Sequence, residues 1–329
     1  MASPRGAVII LVLVTVVLAA SLLAAFIHRS GADLLADARA AAKRELRAEA
    51  FSALETMLAI VAAQRAADGG LPAPDPAWPG RLAVAGYQPP AGFTLEMSIE
   101  DESGKIPFTQ AQPAWLQSSM ETAGLDPATA ARLSRAIVAW MHSAGDERYE
   151  PEAPDYSRHS PAYRPPQRPL LGWRELGAIE MGRGTFFDEF GRPTPVTGAL
   201  RDDFSLHDFT RINLNTASSR VLGLLGMEPA RARAMADWRE QQMNAGLPGY
   251  VRSSAELASV VGPVVVPAQA GFNVAALRIT VRVWRGAIGH GLTVVVMPAD
   301  GEVARNKLDY PFTVVEINEE ALLSPTPSA

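Results

Sequence analysis

Residues 1–30 read "MASPRGAVIILVLVTVVLAASLLAAFIHRS". From Ala7 to Ile27 no charged side chain interrupts the run. A helix needs about 20 apolar residues to cross a bilayer core. The apolar part of a cleaved secretory signal is shorter, roughly 7–15 residues, and ends at a small-residue site. Ala19-Ala20-Ser21 would serve as such a site, so cleaved secretion stays open beside a retained membrane anchor.

The next forty residues extend the run. No proline appears from Gly31 to Asp68. Leu34, Ala38, Ala41, Leu46, Phe51, Leu54, Met57, Leu58 and Val61 recur at roughly helical spacing. Asp33, Asp37, Arg39, Lys43, Arg44, Glu45, Arg47 and Glu49 fill the other face. Gly69-Gly70 and then Pro72 are stop signals. The apolar run and this amphipathic stretch predict one helix of about 60 residues, roughly 90 Å long. Only Arg5 precedes the run, whereas Arg29, Arg39, Lys43, Arg44 and Arg47 come after it. Counted alone, these cations favour a cytoplasmic side after the span. Interleaved acids accompany those cations, and the short leader resembles a processed one, a resemblance that implies the opposite orientation.

Composition narrows the remaining classes. The chain has 329 residues, 48% of them hydrophobic and 20% charged, so most of it folds. A net charge of -5 offers no basic surface for nucleic acid. With no cysteine, disulfides, thiolate metal sites and a cysteine nucleophile are excluded. The 26 prolines and 26 glycines point to long ordered loops.

Residues 69–90 read as a proline-rich connection. Phe93, Leu95, Met97 and Ile99 then alternate with polar or small residues, the pattern of a half-buried strand, and residues 101–104 turn. Residues 105–141 and 211–239 resemble each other. Each starts near an isoleucine, enters an apolar helix, turns at "LDPA" or "MEPA", and ends a second helix at tryptophan, Trp140 or Trp238. Asp126 and Glu228 stand before proline as N-cap acids. The pattern predicts two helical hairpins, an internal duplication. In "INLNTA", 212–217, Asn215 is expected to cap a helix starting at Thr216, with Asn213 satisfying local backbone. Between the hairpins lies a long proline- and tyrosine-rich loop with a short helix near Trp173–Ile179. Three strands come next, in 272–286, 291–301 and 310–318, with turns at Gly289–Gly291 and Asp300-Gly301. They are expected to pack on the amphipathic half of the long helix.

No enzyme signature emerges. The five histidines, His28, His142, His159, His207 and His290, show no metal spacing. "GAIGHG", 286–291, and "FFDEFGRP", 186–193, read as turns. The hairpin Leu225–Pro229 looks like a helix-hairpin-helix module, some of which bind DNA. Glu228 would oppose a phosphate there, and Pro229 removes an N–H donor.

The leader Met1–Gly6, with Arg5-Gly6 before an apolar helix, resembles a prepilin peptidase site. That resemblance implies cleavage after Gly6 and N-methylation of Ala7. Most such proteins carry Phe or Met at the Ala7 position and glutamate at the Leu11 position. The leader, the missing glutamate, Ser103-Gly104-Lys105-Ile106, "LLGWRELGAI" at 170–179 and Ile212–Ala217 together resemble the minor pseudopilin K family of the type II secretion system.

This resemblance implies an α+β fold. A pilin-like long N-terminal helix packs on a small antiparallel sheet, and a large α-helical domain of two sterile-alpha-motif-like units is inserted. The corresponding divisions are a leader at 1–6, a stem helix at 7–68, a first head part at 69–104, the insert at 105–262, the returning sheet at 263–320 and a disordered tail at 321–329. Implied partners are minor pseudopilins I and J, other pseudopilins, prepilin peptidase and the inner membrane, with no nucleic acid. The chain would cross the inner membrane once, its C-terminal domain periplasmic. A subunit without the glutamate fits a filament tip, where no subunit lies above it. The family also implies calcium in the loop after the first tryptophan, which takes about six to eight oxygens. Ala139, His142 and Ala144 occupy the expected acid positions, while Asp146, Glu147, Glu150, Glu152 and Asp155 stand nearby as candidate ligands. Two alternatives share the stem: a tip-type minor pilin of a type IV pilus-like filament, and a membrane-tethered DNA-binding protein.

Overall fold

The computed structural model describes residues 4–142, 156–158, 160–299 and 311–323. Helix α1, Pro4–Asp68, is unbroken over 65 residues, about 98 Å at 1.5 Å per residue. It stops at the expected place, Gly69, whose φ of 66° suits glycine. A short helix α2, Trp78–Val84, then forms inside the expected connection. Buried Trp78 and Leu82 fold it back onto α1.

Strand β1, Thr94–Asp101, precedes a 3-10 turn at Glu102–Gly104. The chain then enters strand β2, Ile106–Pro107, and helices α3, Pro113–Thr122, and α4, Pro127–Met141. After a 3-10 helix at Trp173–Ala178 come helix α5, Pro195–Asp203, and strand β3, Phe204–Ser205. Strand β4, Ile212–Asn213, leads to helices α6, Ser219–Leu224, α7, Pro229–Asn244, and α8, Ser254–Val261. Strand β5, Ala270–Gly271, is followed by the long strands β6, Leu277–Arg285, β7, Ile288–Pro298, and β8, Phe312–Leu323.

The long strands form one antiparallel sheet in the order β1-β6-β7-β8. Its core side alternates along each strand: Leu277, Ile279, Val281 and Val283 on β6, and Leu292, Val294 and Val296 on β7. Leu46, Ala50, Ala53, Leu54, Met57, Leu58 and Val61 of α1 complete this first core. Burial on α1 begins at Leu46, later than its amphipathic pattern suggests. Leu34 is 71% exposed, because the sheet ends below it.

A second core is mainly helical and gathers residues between Ile106 and Ala276 together with Val295 of β7. The two are joined where β1 pairs directly with β6 and sets Asp101 opposite Leu277. Everything in between is an insertion. It has two similar halves. Strand β2 pairs in parallel with β3, and β4 with β5. In each half a helical hairpin turns on a glycine at positive φ, Gly124 at 92° and Gly226 at 93°.

Several local expectations change. Helix α7 runs on past Trp238 to Asn244, whereas α4 ends one residue after Trp140. Asp126 caps α4 through the Thr129 N–H at 2.9 Å, but Glu228 makes no cap and pairs with Arg231 at 3.3 Å. Its longer side chain reaches the next turn instead. The β6–β7 hairpin turns at Gly286-Ala287, so Gly289 and Gly291 lie within β7. A Cβ on Gly289 would sit 2.5 Å from the Trp284 ring, which explains a glycine in a strand. Strand β8 runs on to Leu323, into the stretch from 321 expected to be a disordered tail. Asp300-Gly301 lies outside the described residues.

Candidate assembly site

Two features can act on partners: the free part of α1, and the seam that sets the insert against the sheet. On α1, Val12–Ile27 is uncovered throughout, with Val12 54%, Leu22 65% and Phe26 68% exposed. The apolar stretch has a mean hydropathy of 2.1, enough by length and composition to cross a membrane. Where α1 reaches the head, charged pairs flank its entry. Arg47 pairs with Glu319 at 2.6 Å, Arg285 with Glu45 at 2.5 Å, and the Tyr87 hydroxyl donates to Glu49. Burial raises the Tyr87 hydroxyl above its ordinary value, and the Glu49 bond adds to this.

The seam joins the two short motifs singled out in the sequence. Ser103 donates its N–H and hydroxyl to Asp101 Oδ1, at 2.8 and 2.5 Å. Its own Oγ accepts from the Ala275 N–H at 2.8 Å. Asn213 Nδ2 bridges Asp101 Oδ2, at 2.7 Å, and the Pro72 carbonyl, at 2.8 Å. Thr216 donates to the same Asp101 oxygen at 2.5 Å. Gly104 lets these segments touch, since a Cβ there would stand 2.6 Å from Thr216 Oγ1 and 3.0 Å from its carbonyl carbon. Burial raises the Asp101 carboxyl above its ordinary value, against the donors from Ser103, Thr216 and Asn213.

Asn215 departs from its expected role. The helix after it starts at Ser219, and Ser218 caps it through the Val221 N–H at 3.1 Å. The Asn215 amide instead donates to the Val251 and Phe272 carbonyls and accepts from the Val251 N–H. It therefore ties the segment before α6 to the segments flanking α8 and β5. Asn213 does bond locally, to the Asn215 N–H at 3.1 Å, but its longer-range bonds hold the seam.

An ionic row continues the seam along the sheet. Glu102 meets Arg278 at 2.9 Å and Lys105 at 3.5 Å. Glu316 meets His207 at 2.7 Å. Burial works to raise Glu102, but the Arg278 bond and the neighbouring cations hold it below its ordinary value. The His207 bond leads in lowering Glu316. In sequence His207 is one of five scattered histidines. Its partner lies on β8, which no local pattern connects to it.

Beside the seam is a cleft of about 800 Å³. Pro72, Pro74 and Trp78 form one wall, Met243, Leu247 and Tyr250 the other. Arg239 lines it while donating to the Asn215 and Ala217 carbonyls at 2.6 and 2.8 Å.

Gly6 and Ala7 lie within α1 by backbone. Asp146, Glu147, Glu150, Glu152 and Asp155 lie outside the described residues, as does His159. Among the described residues no group of three or more acids or histidines is placed to hold a metal.

No family model matches the sequence, and no curated protein matches it at a significant level. A solved structure does match the fold: a chain of the GspK-GspI-GspJ complex of the Type 2 Secretion System from enterotoxigenic Escherichia coli. The alignment covers 86% of this chain and 99% of that chain, at a TM-score of 0.55 and 10% sequence identity. The fold is thus the pilin-like α+β architecture with a helical insertion.

Proposed function

We propose that this protein is a minor pseudopilin of the K type, acting at the tip of a type II secretion pseudopilus in protein export. One observation carries the reading. A continuous 65-residue helix with an uncovered apolar stretch sits on the head, and 86% of the chain aligns in fold with 99% of a chain of the GspK-GspI-GspJ complex. An uncovered apolar helix of this length first suits a bilayer and then a filament core. Leu11, where most pilins carry glutamate, supports the tip position. The role is assembly, with no chemical step.

On this reading prepilin peptidase cleaves after Gly6 and Ala7 becomes the methylated N-terminus. The stem anchors the chain in the inner membrane, the head lies in the periplasm, and the partners are minor pseudopilins I and J. Mass spectrometry of the chain from native membranes tests this. A methylated start at Ala7 and co-purification with minor pseudopilins are expected. A start near Ala20, or an intact Met1, overturns it. Residues 146–155 remain a candidate calcium loop. Calorimetric titration of the full chain in detergent tests that separately, and no heat at millimolar calcium removes it.

A further inference from the structure

The cleft beside the seam draws its walls from separate parts of the chain, the connection after α1 on one side and α7 with the turn after it on the other. Its volume of about 800 Å³ falls among ligand sites, which run roughly 300–1,000 Å³. On the α7 side Met243 and Leu247 stand 56% and 55% exposed, with Tyr250 in the same wall. On the other side Trp78 is 1% exposed, and its indole Nε1 has no hydrogen-bond partner among the described residues. The lining also takes in Asn215, Ser218 and Ser219. An alkyl chain would lie against polar groups there, whereas a peptide brings amides to meet them.

Arg239 selects the occupant. It is half-buried in the lining, and its bonds to the Asn215 and Ala217 carbonyls use two of the five guanidinium N–H groups. Burial lowers its pKa, and no carboxylate among the described residues opposes that. A partly buried cation without an anion is costly, so the cleft gains most from an acid brought in from outside. The acids that line it leave this cation unanswered. Asp75 is held by Arg81 at 2.5 Å, Asp68 accepts from Gln64 at 2.6 Å, and Glu240 is exposed at the rim. A charge at the wet rim counts for less than one in the partly dry interior. We infer that the cleft binds a short apolar peptide segment carrying one carboxylate, with the carboxylate on the remaining N–H groups of Arg239 and the apolar side chains against Met243, Leu247 and Tyr250. A planar guanidinium takes a carboxylate through two parallel N–H bonds, which fixes the direction of the segment. The carboxylate comes from a chain end or from an aspartate or glutamate side chain. Such binding concerns the head and the insert alone and holds whether or not the chain serves secretion.

Peroxide footprinting of the full chain in detergent micelles tests it, with oxidation of the exposed Met243 read by mass spectrometry. The probes, at equal free concentration, are acetyl-Ala-Leu-Pro-Val with a free carboxyl end, the same peptide as its amide, acetyl-Ala-Asp-Pro-Val amide, and octanoate. At least one of the two acidic peptides is expected to slow oxidation of Met243 several-fold while Met297, on β7, keeps its rate. Which of them acts tells a chain end from a side chain. The neutral amide is expected to protect far less. Arg239→Gln should erase the difference between acid and amide. Because Arg239 also holds two carbonyls, Leu247→Asp is the second variant, at a position 55% exposed. It sets an acid in the wall and should abolish protection, with an unchanged Met297 rate showing that the head is folded. Equal protection by acid and amide, protection that survives Leu247→Asp, or no protection by either acidic peptide overturns the proposal. So does protection by octanoate alone, which would make a fatty acid the occupant.

Discussion

Asn213 is the residue on which the seam turns. From the insert its amide reaches the head at two points, Asp101 at the end of β1 and the Pro72 carbonyl. Asn213→Ala leaves a carboxylate and a carbonyl short of a donor. Such a loss costs about 1–3 kcal/mol, and the midpoint of chemical denaturation should fall accordingly. Asn213→Asp should do more damage at neutral pH, by setting a second carboxylate against Asp101, and should recover on acidification. The acid response of the parent has a calculable sign. Glu102 and Glu316 titrate below the ordinary glutamate value of 4.5 in the folded chain. Their contribution is therefore complete above 4.5 and is lost as pH falls through the lowered values. Asp101 runs the other way. Its raised value favours the folded state more as it protonates. Glu102→Gln should thus flatten the acid limb of a thermal stability profile, and an unchanged limb would remove this pair from the account.

Among the elements, the long helix is the most legible in sequence. Its apolar run, its proline-free continuation and its glycine stop all point to one element. What periodicity cannot report is coverage. Leu34 and Met57 fit the same amphipathic pattern, yet only Met57 lies under the sheet. Met57→Ala should cost about 2–5 kcal/mol of head stability, as a buried cavity does. Leu34→Ala should stay within about 0.5 kcal/mol, as uncovered sites do. Denaturant titration of both variants checks the contrast. The hairpins are also legible, through their matched turn-and-proline signatures. Contacts between distant segments are not. "INLNTA" reads as a local cap because its asparagines precede a helix, and nothing in sequence places Ser103, Gly104 and Thr216 together. A glycine after a strand reads as a turn, while its role here is close approach. Gly104→Ala should therefore disturb the seam by about 1–3 kcal/mol, the usual range for overpacking. A double-mutant cycle with Thr216→Ala, which removes the Oγ1 that the new Cβ would meet first, should show coupling.

At the scale of the whole molecule, the stem and the head are separable. The first core begins at Leu46, and among the described residues no side chain of α1 before it belongs to either core. Residues 31–329 should fold without detergent and elute as a monomer, with helical and sheet signals intact. Aggregation of that fragment would mean the stem shields part of the head. The seam has a mechanical consequence as well. The inserted domain leaves the sheet at Asp101 and returns at Leu277, two residues paired across adjacent strands. A pull along the stem enters through the face of α1 against β6 and β7 and spreads through the ladder. Because the two ends of the insert are clamped side by side, the covalent path through the helical domain bypasses that load, which reaches the domain only through side contacts such as Val295 and Glu316. The domain can present its surface under little strain while the sheet beneath it bears the tension.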